Sequence, residues 1–281
     1  GSLLQRVFSG PSGIDPYAFA VSDVYQDLFS EGSYTGKGIY DVDVFEASLA
    51  GRVPESCVLS HDLLEGTFAR AGLVSDVEVI EEFPSRYEVL TARQHRWARG
   101  DWQLLPWIIG RGRDARSDGK AKAIPLVGRW KMLDNLRRTL SAPAALGVLA
   151  VAWTLPIRTA AVWTAFVCAL IAVPPLLPVL AGVVPRRLGI SKRSHVRALL
   201  EDMRIALSQT LFSITLLAHQ AWLMIDAITR TQFRLFVRRR RLLEWVTAAQ
   251  AKSSLPLDVR GFYRRMAGGI GMAVAVMVIV A

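Results

Sequence analysis

Along the first 110 residues apolar positions recur in short stretches broken by glycine and proline, whereas beyond Thr139 they fuse into long runs. Tyr17 to Phe29 has helical spacing, and Gly32-Ser33-Tyr34-Thr35-Gly36-Lys37-Gly38 follows as a flexible loop. Phe45 to Ala50 reads as a short helix ended by Gly51. Ser60 is the expected N-cap of a helix from His61 to about Ala71, with Gly72 as its stop. Val74 to Ile80 alternates like a strand, and a longer helix is expected from about Glu88 to Ile109. Helix, strand and helix in that order predict an α/β domain over residues 1–110, with about half of such a domain absent.

Arg111 to Lys122 is a polar, basic linker. From Leu126 to Leu140 basic residues alternate with Trp130, Met132, Leu133 and Leu136, the pattern of a helix lying in a membrane interface, so 111–140 forms a connecting unit. The remainder, 141–281, reads as a membrane region with spans near 141–157, 159–184 and 266–281. The first apolar segment is short, reaching only about 24 Å at ~1.5 Å per residue, so Thr139 or its neighbours extend it. A further segment near 205–228 is long enough to cross. It has Arg204 before it and Arg230 and Arg238 to Arg241 after it, and it contains His219 and Asp226. An interfacial helix and a true span both fit.

Charge divides the chain at nearly the same place. Residues 1–110 hold 8 Lys/Arg against 16 Asp/Glu, and residues 111–281 hold 26 against 8, giving the overall +10. A nucleic-acid binder would be basic throughout; here the cations flank apolar segments, where they hold orientation and meet anionic lipid headgroups. Arg238 to Arg241 is most simply a membrane-surface anchor. With only Cys57 and Cys168, neither a disulfide framework nor a zinc site is available. The amino terminus lacks the pattern of a signal peptide, and the chain stops inside the apolar run Met272 to Val280, so it reads as a piece cut at both ends.

Two motifs carry chemistry: Ser60-His61-Asp62-Leu63-Leu64-Glu65-Gly66, and then Arg93-Gln94-His95-Arg96-Trp97-Ala98-Arg99-Gly100. Asp62 falls in a first helical turn, where the helix dipole favours an ionised carboxylate; alone, it would be a cap or dipole partner. An acidic residue at a helix start, followed by R/Q-x-x-R-W ahead of membrane segments, resembles the second half of processive glycosyltransferases such as cellulose and hyaluronan synthases. That resemblance implies the C-terminal half of a GT-A-type domain followed by interface and transmembrane helices. It makes Asp62 the general base and Trp97 the acceptor platform, with Arg93, Gln94 and Arg96 as contacts to acceptor or diphosphate. An inverting transfer needs such a carboxylate on the acceptor side and cations on the leaving group. Many relatives have Gln where Arg93 stands.

Longer strings, including Asp23 to Phe29, Gly32 to Asp43, Gln94 to Gln103 and Leu242 to Gln250, look like the cyclic β-1,2-glucan synthase family. This closer resemblance implies UDP-glucose as donor, a growing glucan chain as acceptor, and a multi-pass protein of the bacterial inner membrane with its catalytic part cytoplasmic. It also implies Mg2+ or Mn2+ held by residues ahead of Gly1. Asp41-Val42-Asp43 is therefore read as a structural turn, and no metal ligand is assigned in the chain. Elongation on a protein side chain would make Tyr34 and Tyr40 candidates for priming. His61, His95 and His219 lack metal-ligand spacing and read as packed or hydrogen-bonded. The chain by itself is expected to be inactive. Another β-glucan synthase of the cellulose synthase type, and a non-catalytic membrane transporter or scaffold, remain the rival readings.

Overall fold

The computed structural model describes residues 1–8, 24–34, 36, 38–52, 58, 61–74, 76–77, 83–110, 124–184, 191–238, 240–244 and 259–280. Every regular element among them is helical, and no strand is present. The expected α/β fold is thereby corrected: among the described residues there is no α/β portion of a GT-A domain. Val74, Asp76 and Val77 are not in a strand, and both valines are half exposed, while Ser75 and residues 78–80 lie outside the described residues. Alternation marks a half-buried strand only if a neighbouring strand takes up its backbone hydrogen bonds and a core takes one face; these residues have neither.

Short helices precede long ones. They are α1 (Leu3–Phe8), α2 (Val24–Phe29), α3 (Val42–Leu49), α4 (Asp62–Ala69), α5 (Tyr87–Gln103) and α6 (Leu105–Ile108). Then follow α7 (Leu126–Ala152), α8 (Ile157–Gly182), α9 (Lys192–Thr215), α10 (Leu217–Phe233) continued by a π turn over Arg234–Arg238, and α11 (Val259–Val280). The expected N-cap Ser60 and the Arg111 to Lys122 linker lie outside the described residues. Helix α4 ends at Arg70, with φ 60, two residues before the glycine expected to stop it. Helix α5 stops at Gln103 because Pro106 has no N–H to give to the Trp102 carbonyl; the chain restarts one residue later as α6. Residues 126 to 152, basic at first and apolar from Ser141, form one helix.

Helix α10 is central to the long-helix assembly. Its Ala227 and Met224 pack on Ala98 of α5, its Ala221 on Leu146 of α7 and Val276 of α11, and its Leu217 on Leu149 of α7 and Val167 of α8. Contact with α11 is close because two glycines face it: a β-carbon at Gly269 would lie 2.6 Å from the His219 Cα. A separate core of Leu63, Leu64, Leu104, Trp107, Ile124 and Met132 joins α4 to α6, α7 and Leu104 at the end of α5.

Helices α8 and α11 are long and apolar enough to cross a membrane; α9 and α10 make a third crossing if the pair, bent by 61°, is one broken span. Only 11% of the apolar window of α8 and of α11 is buried against the rest of the chain. Their outward faces therefore need another apolar environment, which a bilayer supplies.

Candidate active site

The site is built where the start of α4 crosses α5. Burial of Leu63 and Leu64 at the second and third positions of α4 turns Asp62, its first residue, outward into the open. His61 has extended backbone (φ −132, ψ 102) and offers no side-chain cap. Its own N–H instead donates to Glu65 Oε1, four residues on, at 3.2 Å. Asp62 and Glu65 thus both sit at the positive end of the helix dipole.

The glycine loop lies against this turn. Gly36 has φ +84, and a β-carbon there would lie 2.6 Å from Asp62 Oδ2; glycine lets the backbone reach the carboxylate. Tyr34 presses on Gly66, and its phenol is pushed above its ordinary pKa by burial first, then by Tyr40, Asp62 and Glu65. Tyr40 is half exposed with its ring 4.7 Å from Phe45. From the far side, the buried Lys131 of α7 donates from Nζ to Gly32 O at 2.9 Å and Glu31 O at 3.3 Å, and lies 4.5 Å from the Tyr25 ring centre. A cation satisfied by two carbonyls and an aromatic face anchors the base of the loop.

Helix α5 presents the second motif. Arg93 and Trp97, four residues apart on one face, stack with the guanidinium carbon 4.4 Å from the indole centre. Trp97 remains half exposed. Arg96 is held below its ordinary pKa by burial, then by the neighbouring Arg93, while the Asp62 carboxylate pulls the other way. Two guanidiniums beside one carboxylate give this face a local excess of positive charge, which attracts anions. Gln94 is turned inward with its amide oxygen buried. The structure therefore brings Asp62, Arg93, Arg96 and Trp97 to one place, sets Tyr34 beside them, and leaves Gln94 packed within the fold.

The opposite face of α5 is fastened to α10. Tyr87 Oη meets His219 Nδ1 at 2.8 Å and accepts from Gln220 Nε2 at 3.0 Å; His95 Nε2 meets Asp226 Oδ2 at 2.9 Å, and Arg230 Nε holds the other oxygen of Asp226 at 2.8 Å. Farther along, Gln103 Nε2 donates to Leu242 O at 2.7 Å, and Trp102 Nε1 donates to Thr139 Oγ1 of α7 at 2.9 Å.

Among the described residues no three His, Cys, Asp or Glu side chains come together as a metal-binding group. Asp41 caps α3, accepting from Val44 N at 2.9 Å. The described residues thus offer no set of ligands for the divalent ion, which the resemblance assigns to residues ahead of Gly1. Sequence reasoning missed Gly36 and Lys131. Gly36 stood out only as loop punctuation, and Lys131, between Trp130 and Met132, is indistinguishable in sequence from an interface lysine.

A helical protein with two helices able to cross a membrane thus sets an exposed carboxylate beside two arginines and a half-exposed indole. The chain is similar to the cyclic beta-(1,2)-glucan synthase NdvB of Rhizobium meliloti, with 47% identity over 266 residues. The match takes in 94% of this chain and 9% of that protein, so the chain is homologous to a segment of a cyclic β-1,2-glucan synthase and spans about a tenth of its length. The resemblance read from the motifs is thereby shown. No family model matches the chain.

Proposed function

We infer that the chain carries the acceptor and leaving-group side of an inverting, processive glucosyltransferase that moves glucose from UDP-glucose to a growing β-1,2-glucan. The observation that carries the reading is the meeting of Asp62 with Arg93, Arg96 and Trp97 across α4 and α5 in a chain similar to such a synthase. Asp62 is exposed, so it can receive the proton of the acceptor C2 hydroxyl as that oxygen bonds to the anomeric carbon of the donor. The bond from that carbon to the diphosphate breaks with its electron pair on the diphosphate, and Arg96 with Arg93 takes up the charge. Trp97 offers an apolar plane on which a sugar ring stacks.

The enzyme works at the bacterial inner membrane, with this site on the cytoplasmic side, α8 and α11 crossing the lipid, and the cations of 192–197 and 230–238 at its surface. Tyr34, beside Asp62 and Glu65, offers a phenol for a first glucosyl group, and Asp62 is the neighbouring base for its proton. The test is to supply membranes containing the full-length protein with radiolabelled UDP-glucose and determine the linkage of the product. β-1,2-linked glucan is expected. Another linkage would move the protein to a different β-glucan synthase, and the absence of any incorporation would favour a transporter or scaffold.

A further inference from the structure

The residue before the base is as closely held as the base is exposed. His61 and Asp101 keep only 12% and 14% of their side-chain surface, and His61 Nε2 lies 3.1 Å from Asp101 Oδ1. The same oxygen accepts from Asn135 Nδ2 of α7 at 2.9 Å, so three helices meet at one carboxylate. The imidazole rests on Gly100, where a β-carbon would lie 3.3 Å from His61 Cδ2. With its backbone N–H taken by Glu65, His61 is fixed through both main chain and side chain.

The partner on α5 stands in a telling register. Arg93, Trp97 and Asp101 are spaced by four and form one stripe of the helix. The stripe that presents the arginine and the indole thus also binds the residue preceding Asp62. A shift of α4 along α5 would move the carboxylate relative to the arginines, and the contact at Asp101 opposes that shift. A carboxylate only accepts hydrogen bonds, so in this contact His61 Nε2 is the donor.

We propose that His61 and Asp101, braced by Asn135, are a positioning pair that sets the distance from the Asp62 carboxylate to the arginines of α5. This rests on the reading of Asp62 as the base. The pair touches neither donor nor acceptor; it acts through the register of two helices. Misplacement of a catalytic group by about 1 Å can lower a rate by about a hundredfold while leaving substrate binding in place.

The experiment uses the full-length protein in membranes, measuring kcat and KM for UDP-glucose together with protein abundance. His61→Ala and Asp101→Ala are each expected to lower kcat about tenfold or more, with KM within about twofold of wild type. The double variant is expected to be no slower than the slower single one, because both remove the same contact. His61→Gln, whose amide N–H reaches the same oxygen, should recover most of the rate, and His61→Met, of similar size but without a donor, should not. Equal rates for the Gln and Met variants would overturn the proposal even if the alanine variants fold poorly, and so would a double variant whose losses multiply. Asp62→Asn separates the two levels. If it is inactive while His61→Ala and Asp101→Ala keep the wild-type kcat, positioning fails and the base stands; if Asp62→Asn is active, the reading of the whole site fails.

Discussion

The two faces of α5 differ in how their charges are settled. Toward α10, polar groups end on a specific partner: His95 on Asp226, Tyr87 on His219 and Gln220, and Gln103 on the Leu242 carbonyl. Toward α4, Arg96 is shared between a repelling Arg93 and an attracting Asp62, and Trp97 keeps half its surface in the open. The first face of the helix is thus fastened to α10 by named pairs, and the second presents Arg93, Arg96 and Trp97 toward Asp62. Binding energy spent on the first makes the second rigid, as a site must be if its charges are to act without reorganising.

The largest expected break is on the open face. Arg96→Ala should lower glucosyl transfer by about a hundredfold, the scale of one lost charge-stabilising contact, with little change in melting temperature. Arg96→Lys should recover part of it, since a single ammonium replaces the two-pronged guanidinium. Gly36→Ala tests the loop: both the positive φ and the space taken by the carboxylate oppose a β-carbon, at about 1–3 kcal/mol. A fall in activity of about tenfold is expected, and wild-type activity would mean that the loop does not constrain Asp62.

Substitutions on the closed face should move stability more than chemistry. His95 is held below its ordinary value of 6.5, by burial first, against the hydrogen bond and charge of Asp226. The unfolded chain therefore takes up a proton more readily than the folded one, and the stability due to a neutral His95 is lost as pH falls below about 6.5. Thermal melts of wild type between about pH 7.5 and 5.5 should show a fall in midpoint that His95→Gln makes smaller; parallel curves would contradict the assignment. Lys131→Met should have the smallest effect on transfer. It leaves the carbonyls of Glu31 and Gly32 without their donor, costing about 1–3 kcal/mol, with faster amide exchange near Gly32 as the readout.

Much of the open face was legible in the sequence, because its meaning lies in local spacing. Asp62 at a helix start, and Arg93, Arg96 and Trp97 at intervals of three and four, are patterns within a turn or two. The closed face was not, since Tyr87 pairs with a residue 132 positions away and His95 with one 131 away, and no local period announces such partners. The α/β expectation failed for a related reason. The alternation from Val74 is a local signal for a strand, but a strand exists only with a neighbour, and among the described residues none stands beside it. Composition likewise located the apolar stretch within α7 and missed that the helix runs on unbroken from the basic stretch before it.

The most direct test of the central claim is the rate of glucose transfer by Asp62→Asn, measured beside Glu65→Gln at equal abundance in membranes containing the full-length protein. Both changes remove one carboxylate from the first turn of α4, but only Asp62 is held to take the acceptor proton. The account predicts a loss of at least about a hundredfold for Asp62→Asn and a loss of less than about tenfold for Glu65→Gln. Near-wild-type transfer by Asp62→Asn would contradict it and return Asp62 to the role of a helix-dipole partner.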